Sequence, residues 1–132
     1  MNRLFRILMV LGYLLTPVVW AAQVHDVRLW RAPDHTRVVF DLDGPAPHKL
    51  LVLENPGRIV VDLTDTRLTA SLEGLKLTGT PISKIRSGVR EGDDLRVVFE
   101  TSTKVNPRSF VLKANEQAGD RLDTILIPKV GV

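Results

Sequence analysis

The chain contains no cysteine. That excludes a disulfide framework, thiolate chemistry and a lipid anchor on a cysteine, so hydrophobic packing must hold the fold unaided. Histidine is scarce: His25, His35 and His48 are the only three. They stand in separate segments, without the close His/Glu pairing that puts two ligands on one face. They read as ordinary surface histidines rather than as the ligand set of a zinc hydrolase. There is no G-x-S-x-G elbow, no serine with a neighbouring activating partner, and no glycine-rich phosphate loop. The carboxylate pair Asp93-Asp94 falls in a turn, where solvated acids are common. No catalytic or metal site and no cofactor is expected in this stretch. Aromatics are also few: beyond residue 21 they are Trp30, Phe40, Phe99 and Phe110.

Arg3 and Arg6 carry the only charges in the first 24 residues, and Ile7 to Val19 is an almost unbroken apolar run. Val19-Trp20-Ala21 then offers the small or modest residues that a signal peptidase inspects. A charged start, an apolar middle and an A-x-A-like end define a secretory signal. The run is short for a membrane span, which needs about 20 residues. Residues 1–21 are therefore expected to be a signal peptide, cut after Ala21 or, as second choice, after Ala22. An uncleaved anchor is the rival reading. The mature part is expected in the periplasm, with no stable membrane span. Removing 21 of the 132 residues leaves 111, the size of one domain. It also lowers the basic count from 18 to 16 against 15 acids, so the net charge of +3 becomes about +1. Nucleic-acid binding through a bulk positive field does not fit so small an excess.

What the chain does contain is a repetition. Thr36-Arg37-Val38-Val39-Phe40-Asp41 returns 59 positions later as Leu95-Arg96-Val97-Val98-Phe99-Glu100. Val27-Arg28 matches Ile85-Arg86 at an offset of 58, and Pro47 to Val52 matches Pro107 to Leu112 at an offset of 60. Each hairpin-like unit is too small to bury its apolar face alone, so two related halves must cover each other. The expected fold is all-β, a pseudo-symmetric β-sandwich of two related sheets built from this internal repeat. The halves are expected at about 24–66 and 82–128 within a domain spanning 22–128. Residues 129–132 would begin a linker.

Strand signals agree. Val24 to Trp30, Arg37 to Leu42, His48 to Leu53 and Arg58 to Leu63 are rich in β formers, and turns separate them at intervals of roughly ten residues. Val38, Phe40 and Leu42 face one side; Ile59, Val61 and Leu63 do likewise. Asn55-Pro56-Gly57 is a turn favoured by Pro and Gly. Residues 64–80 read as a connection whose Leu68, Leu72, Leu75 and Leu77 are pinned to the core, with room for a short helical turn. Ile82 to Gly88, Leu95 to Thr101, Ser109 to Lys113 and Leu122 to Ile127 complete the second half. Glu116 to Asp120 is expected as a mobile loop.

Thr36 to Leu42 followed by Gly44-Pro45, and Asn55-Pro56-Gly57-Arg58-Ile59-Val60-Val61-Asp62-Leu63, together resemble the two signatures of the AMIN domain. Leu95 to Glu100 is similar to that family's closing element. The resemblance covers about residues 24–128 and looks most like the N-terminal region of a periplasmic N-acetylmuramoyl-L-alanine amidase. It implies a sandwich of two related sheets that binds peptidoglycan and brings an enzyme to the division site in daughter-cell separation. The zinc-dependent catalytic domain of such a protein would lie outside this chain. The same domain type also opens outer-membrane secretins.

Peptidoglycan presents hydroxyls, amides and stem-peptide carboxylates, and the planar fork of Arg suits carboxylates. Arg28 and Arg86, and Arg37 and Arg96, occupy equivalent repeat positions, while Arg58 opens the strand of the second signature. These five and Trp30 are the candidate peptidoglycan-binding residues, forming two related patches. The competing reading pairs each arginine with a cross-strand acid such as Asp41, Asp62 or Glu100. The three phenylalanines read as interior. Trp30 is either a stacking platform beside its turn or part of the core. A different class of function remains open: a module that docks periplasmic division or secretin proteins by strand addition at a sheet edge.

Overall fold

The computed structural model describes residues 22–114 and 119–128. The stretches expected as a signal peptide (1–21) and as the start of a linker (129–132), and most of the loop expected at Glu116–Asp120, lie outside the described residues.

Nine strands form, and no helix occurs among the described residues. They are β1 (Ala22–Arg31), β2 (Thr36–Leu42), β3 (His48–Leu53), β4 (Arg58–Leu63), β5 (Thr66–Leu68), β6 (Ile82–Arg90), β7 (Asp94–Thr101), β8 (Val105–Leu112) and β9 (Arg121–Pro128). The first sheet has the order β5-β1-β2-β9-β8, and the second β3-β4-β7-β6. All neighbours are antiparallel except β1 and the short β5, which run parallel. Alternation decides which side chains meet between the sheets. Val38, Phe40 and Leu42 of β2 pack with Ile59, Val61 and Leu63 of β4 and with Leu95, Val97 and Phe99 of β7. Phe40 and Phe99, which the repeat places at equivalent positions, meet each other with centroids 6.2 Å apart and rings tilted by 58°.

The strand registers turn the sequence repeat into a topology. β1-β2-β9-β8 of the first sheet matches β6-β7-β4-β3 of the second. Each sheet therefore takes one hairpin from each half. In β1, Val27 faces Phe40 of β2; in β6, Ile85 faces Phe99 of β7, so the offsets of 58 and 59 hold in space. The third offset needs correction. Arg37 faces Ile125 and Arg96 faces Asp62, which makes Asp62 equivalent to Ile125 and Leu63 to Leu126. Leu63 faces His48 and Leu126 faces Pro107, so His48 matches Pro107 at 59, not 60. The physical reason is parity: a one-residue slip would turn every side chain of β8 to the other face.

That parity also overturns one burial expectation. Phe110 was expected in the interior but is 45% exposed. It is the equivalent of Leu51, itself 44% exposed, and both point outward. Strand β8 also begins at Val105, four residues before the expected Ser109, and includes Pro107. Proline reads as a strand breaker, yet β8 is the edge of its sheet, and edge strands tolerate a residue that cannot donate to a second neighbour. In the connecting segment Leu68, Leu72, Leu75 and Leu77 pack partly buried against the core, as expected. The helical turn does not form. Its place is taken by β5, which pairs Ala22 with Thr66 and Val24 with Leu68 and covers the β1 edge.

Candidate functional site

Arg28, Trp30 and Arg37 come together on the outer face of the first sheet. Trp30 faces Arg37 across the β1–β2 pair, and Arg28 lies two residues back on the same strand and the same side. The guanidinium carbons of Arg28 and Arg37 lie 4.9 and 5.3 Å from the centroid of the Trp30 ring. Such contacts are worth about 0.5–1 kcal/mol at exposed sites. Trp30 is 44% exposed, so its fate is the outer face and not the core. Both arginines are held by acids of the same sheet. Arg28 donates through Nε and Nη2 to the two Asp41 carboxylate oxygens at 2.6 and 2.8 Å. Arg37 donates through Nε and Nη2 to Asp123 Oδ2 at 3.0 and 2.5 Å.

Arg58, Arg86 and Arg96 lie on the outer face of the second sheet. Arg96 chelates Asp62 through Nε and Nη2, both at 2.8 Å, and Arg90 Nη1 adds a third bond at 3.0 Å. The hydrogen bonds from Arg96 hold the Asp62 carboxyl below its ordinary range, although burial works against them, and the Arg96 guanidinium is raised in turn. Arg86 pairs with Glu100 at 2.9 Å, the counterpart of Arg28 with Asp41. This one arginine–acid pair is thus duplicated, but the acids that hold Arg37 and Arg96 stand at different positions, and the aromatic is not repeated: the position equivalent to Trp30 is Gly88. The outer positions of this sheet carry Lys49, Arg58, Lys84, Arg86, Arg90 and Arg96 against Asp62, Asp94 and Glu100, which leaves that face basic.

Four of the five candidate arginines therefore have an internal carboxylate partner, as the competing reading anticipated for Asp41, Asp62 and Glu100. Arg28, Arg37 and Arg96 share one mode. Nε and Nη2 are taken, while Nη1 has no partner among the described residues. Such a group is fixed in direction and neutralised in charge, yet keeps two N–H donors for neutral oxygens such as hydroxyls and amides. Arg58 differs. Its Nε donates to the Pro56 carbonyl at 3.2 Å, and no carboxylate pairs with it among the described residues.

Two participants escaped sequence reasoning. Asp123, partner of Arg37, is 4% exposed at the centre of β9. An acid within the apolar run Leu122 to Leu126 was its one visible signal, because unpaired acids are almost never buried. Arg90 falls between the expected strand Ile82–Gly88 and the expected turn at Glu91–Asp94, so no element was assigned to it, whereas β6 runs on to include it. The histidines stand apart: His35 contacts Asp34, and His48 Nε2 meets Ser109 Oγ at 3.0 Å, tying β3 to β8 across the sandwich. No group of three or more His, Asp or Glu able to hold a metal ion occurs among the described residues.

Comparison with known proteins places this geometry among relatives. The family profile of the AMIN domain matches residues 26–124. The chain is 32% identical over 111 residues to an N-acetylmuramoyl-L-alanine amidase AmiC of Escherichia coli O6:H1, covering 81% of this chain and 27% of that protein. It is 27% identical over 114 residues to an N-acetylmuramoyl-L-alanine amidase AmiC of Neisseria meningitidis serogroup B, covering 83% and 27%. The chain thus spans about a quarter of the length of these curated relatives.

Proposed function

Because this chain belongs to the AMIN domain family, we propose that it is a non-catalytic module that binds peptidoglycan and holds a cell-wall amidase at the division septum. Its all-β sandwich is a domain of the kind that such amidases carry. The observation that carries the reading is the duplicated outer surface, with arginine–acid pairs at equivalent positions on opposite sides of one small domain. A repeating polymer can engage two weak sites at once, and linked weak sites hold far more tightly than either alone. The oriented Nη1 donors beside Trp30 suit sugar hydroxyls and acetamido carbonyls, and the basic face of the second sheet suits stem-peptide carboxylates. In this reading the protein works in the periplasm, and the amide bond is cut by a zinc-dependent catalytic domain elsewhere in the protein.

Sedimentation with purified, protein-free sacculi tests the proposal. The wild-type chain is expected in the pellet. Trp30→Ala, which removes an exposed side chain from one face, should lose more than half of the retention. Arg37→Ala plus Arg96→Ala should lose nearly all of it, with circular dichroism verifying that the variant is folded. A wild-type chain that stays in the supernatant refutes wall binding. A folded double variant that sediments normally refutes the arginine patches.

A second reading has an observation of its own. Val52 on β3 and Val111 on β8 are equivalent positions on two edge strands, 52% and 46% exposed. Strand addition by a division-site protein would use such an edge and would need no sacculus.

A further inference from the structure

Arg58 begins β4 directly opposite Glu100 of β7. Cross-strand opposition would ordinarily pair them, but Glu100 is taken by Arg86 at 2.9 Å. The guanidinium of Arg58 is left without an acid among the described residues. It stands in a cleft of about 250 Å³ between the β3–β4 turn and the loop that joins β7 to β8. Val52 and Leu53 form one wall and are 52% and 40% exposed. Lys104 supplies a second cation, and Thr101 and Thr103 line the cleft as well. Glu54 is the one acid in the lining, so the cations exceed the acids by one.

The cleft is built rather than incidental. Thr101 N donates to the Gly57 carbonyl at 3.0 Å, which fixes the turn against the end of β7. A Cβ on Gly57 would stand 2.8 Å from Thr101 Oγ1, so a larger residue there would force the Thr101 side chain to shift. Asn55, in the same turn, has φ of 60°, a left-handed conformation that asparagine tolerates well. The volume is below the roughly 300–1,000 Å³ of pockets that hold drug-sized ligands. No aromatic lines it, so it has no platform for stacking a sugar ring. Its chemistry is the two terminal nitrogens of Arg58, which have no partner among the described residues while Nε is held by the Pro56 carbonyl, together with a second cation, hydroxyl donors and an exposed aliphatic wall. That combination fits a carboxylate attached to small apolar groups.

We propose that this cleft receives the free carboxylate end of a short peptide with small side chains, Arg58 gripping the carboxylate and Val52 and Leu53 contacting the side chains. The setting rests on the wall-binding reading: there the occupant is the end of a stem peptide. Glycan contact would then belong to the Trp30 face and peptide contact to the Arg58 cleft.

The test is an NMR titration of the isotope-labelled chain with three probes: N-acetyl-D-alanyl-D-alanine, its C-terminal amide, and N-acetylglucosamine. The free acid is expected to shift the amide signals of residues 53–58 and 101–104, and the C-terminal amide to bind about tenfold more weakly, the effect of losing a charge-assisted pair. Arg58→Gln should bind acid and amide alike. Lys in place of Arg58 should restore part of the preference, because it keeps the charge and loses the fork. Equal binding of acid and amide by the wild type, a preference that survives Arg58→Gln, or shifts confined to other residues would each overturn the proposal. Sacculus sedimentation separates the two ideas. Retention without any acid preference removes only the cleft. An Arg58-dependent acid preference in a chain that ignores sacculi upholds the cleft and removes its wall setting.

Discussion

At the scale of single residues the chain answers one problem repeatedly: how to keep an arginine ordered on an open sheet. An isolated exposed ion pair contributes about 0–1 kcal/mol, too little to order a long side chain reliably. Asp62 is different because it is buried to 9% exposure and takes three hydrogen bonds from two arginines. Its carboxyl is depressed in the folded state below the ordinary 3.8. A depressed acid stabilises fully above the unfolded value, and that contribution drains away as the pH falls through the folded one. Asp62→Asn is therefore expected to cost about 1–2 kcal/mol at neutral pH, reduced from the fully buried case because Arg96 is partly exposed. The gap between wild type and variant should narrow once the pH drops below about 3.8. Urea unfolding across pH 2.5 to 7 checks both expectations. A gap that stays constant over that range would show that Asp62 acts through shape rather than charge.

The elements were legible in proportion to how strictly they alternate. Arg58 to Leu63 and His48 to Leu53 have the expected bounds, and β2 begins one residue early. In β2, β4 and β7 every second residue is aliphatic or Phe and enters the core, so inner and outer faces could be read from the sequence alone. In β3 the run Leu50-Leu51-Val52-Leu53 has no alternation, and β8 carries a proline, so the parity of both was ambiguous and the repeat slipped by one. The candidate arginines share outer faces because parity is a local property. Their acids could be anticipated only where the strands are hairpin neighbours or repeat a motif. Asp123 reaches Arg37 from 86 residues away, and no local pattern encodes that register. The tightest element-level test concerns the two phenylalanines. Phe40→Ala and Phe99→Ala should each cost about 3–4 kcal/mol, since both side chains are almost fully buried. The double variant should cost less than the sum, because the rings touch one another. Denaturant midpoints for the three variants give the coupling directly.

For the whole molecule, the decisive fact is that neither sheet belongs to one half of the chain. Residues 22–68 supply β1, β2 and β5 to one sheet and β3 and β4 to the other. A fragment of those residues would hold two hairpins with nothing between them and beside them. It should give a random-coil spectrum, and so should a fragment of residues 80–128. Mixing the two should restore the sheet signal in circular dichroism and the dispersed amide spectrum of the intact chain. A folded single fragment would show that one half can close a core by itself. A structure interleaved in this way would also be blind to direction if its copies had stayed alike, for a half-turn would return the same surface. Where one copy has Trp30 the other has Gly88, and where one has Asp62 the other has Ile125, and such divergences give the body a front and a back. Whatever is tethered to it would consequently always be presented from the same side.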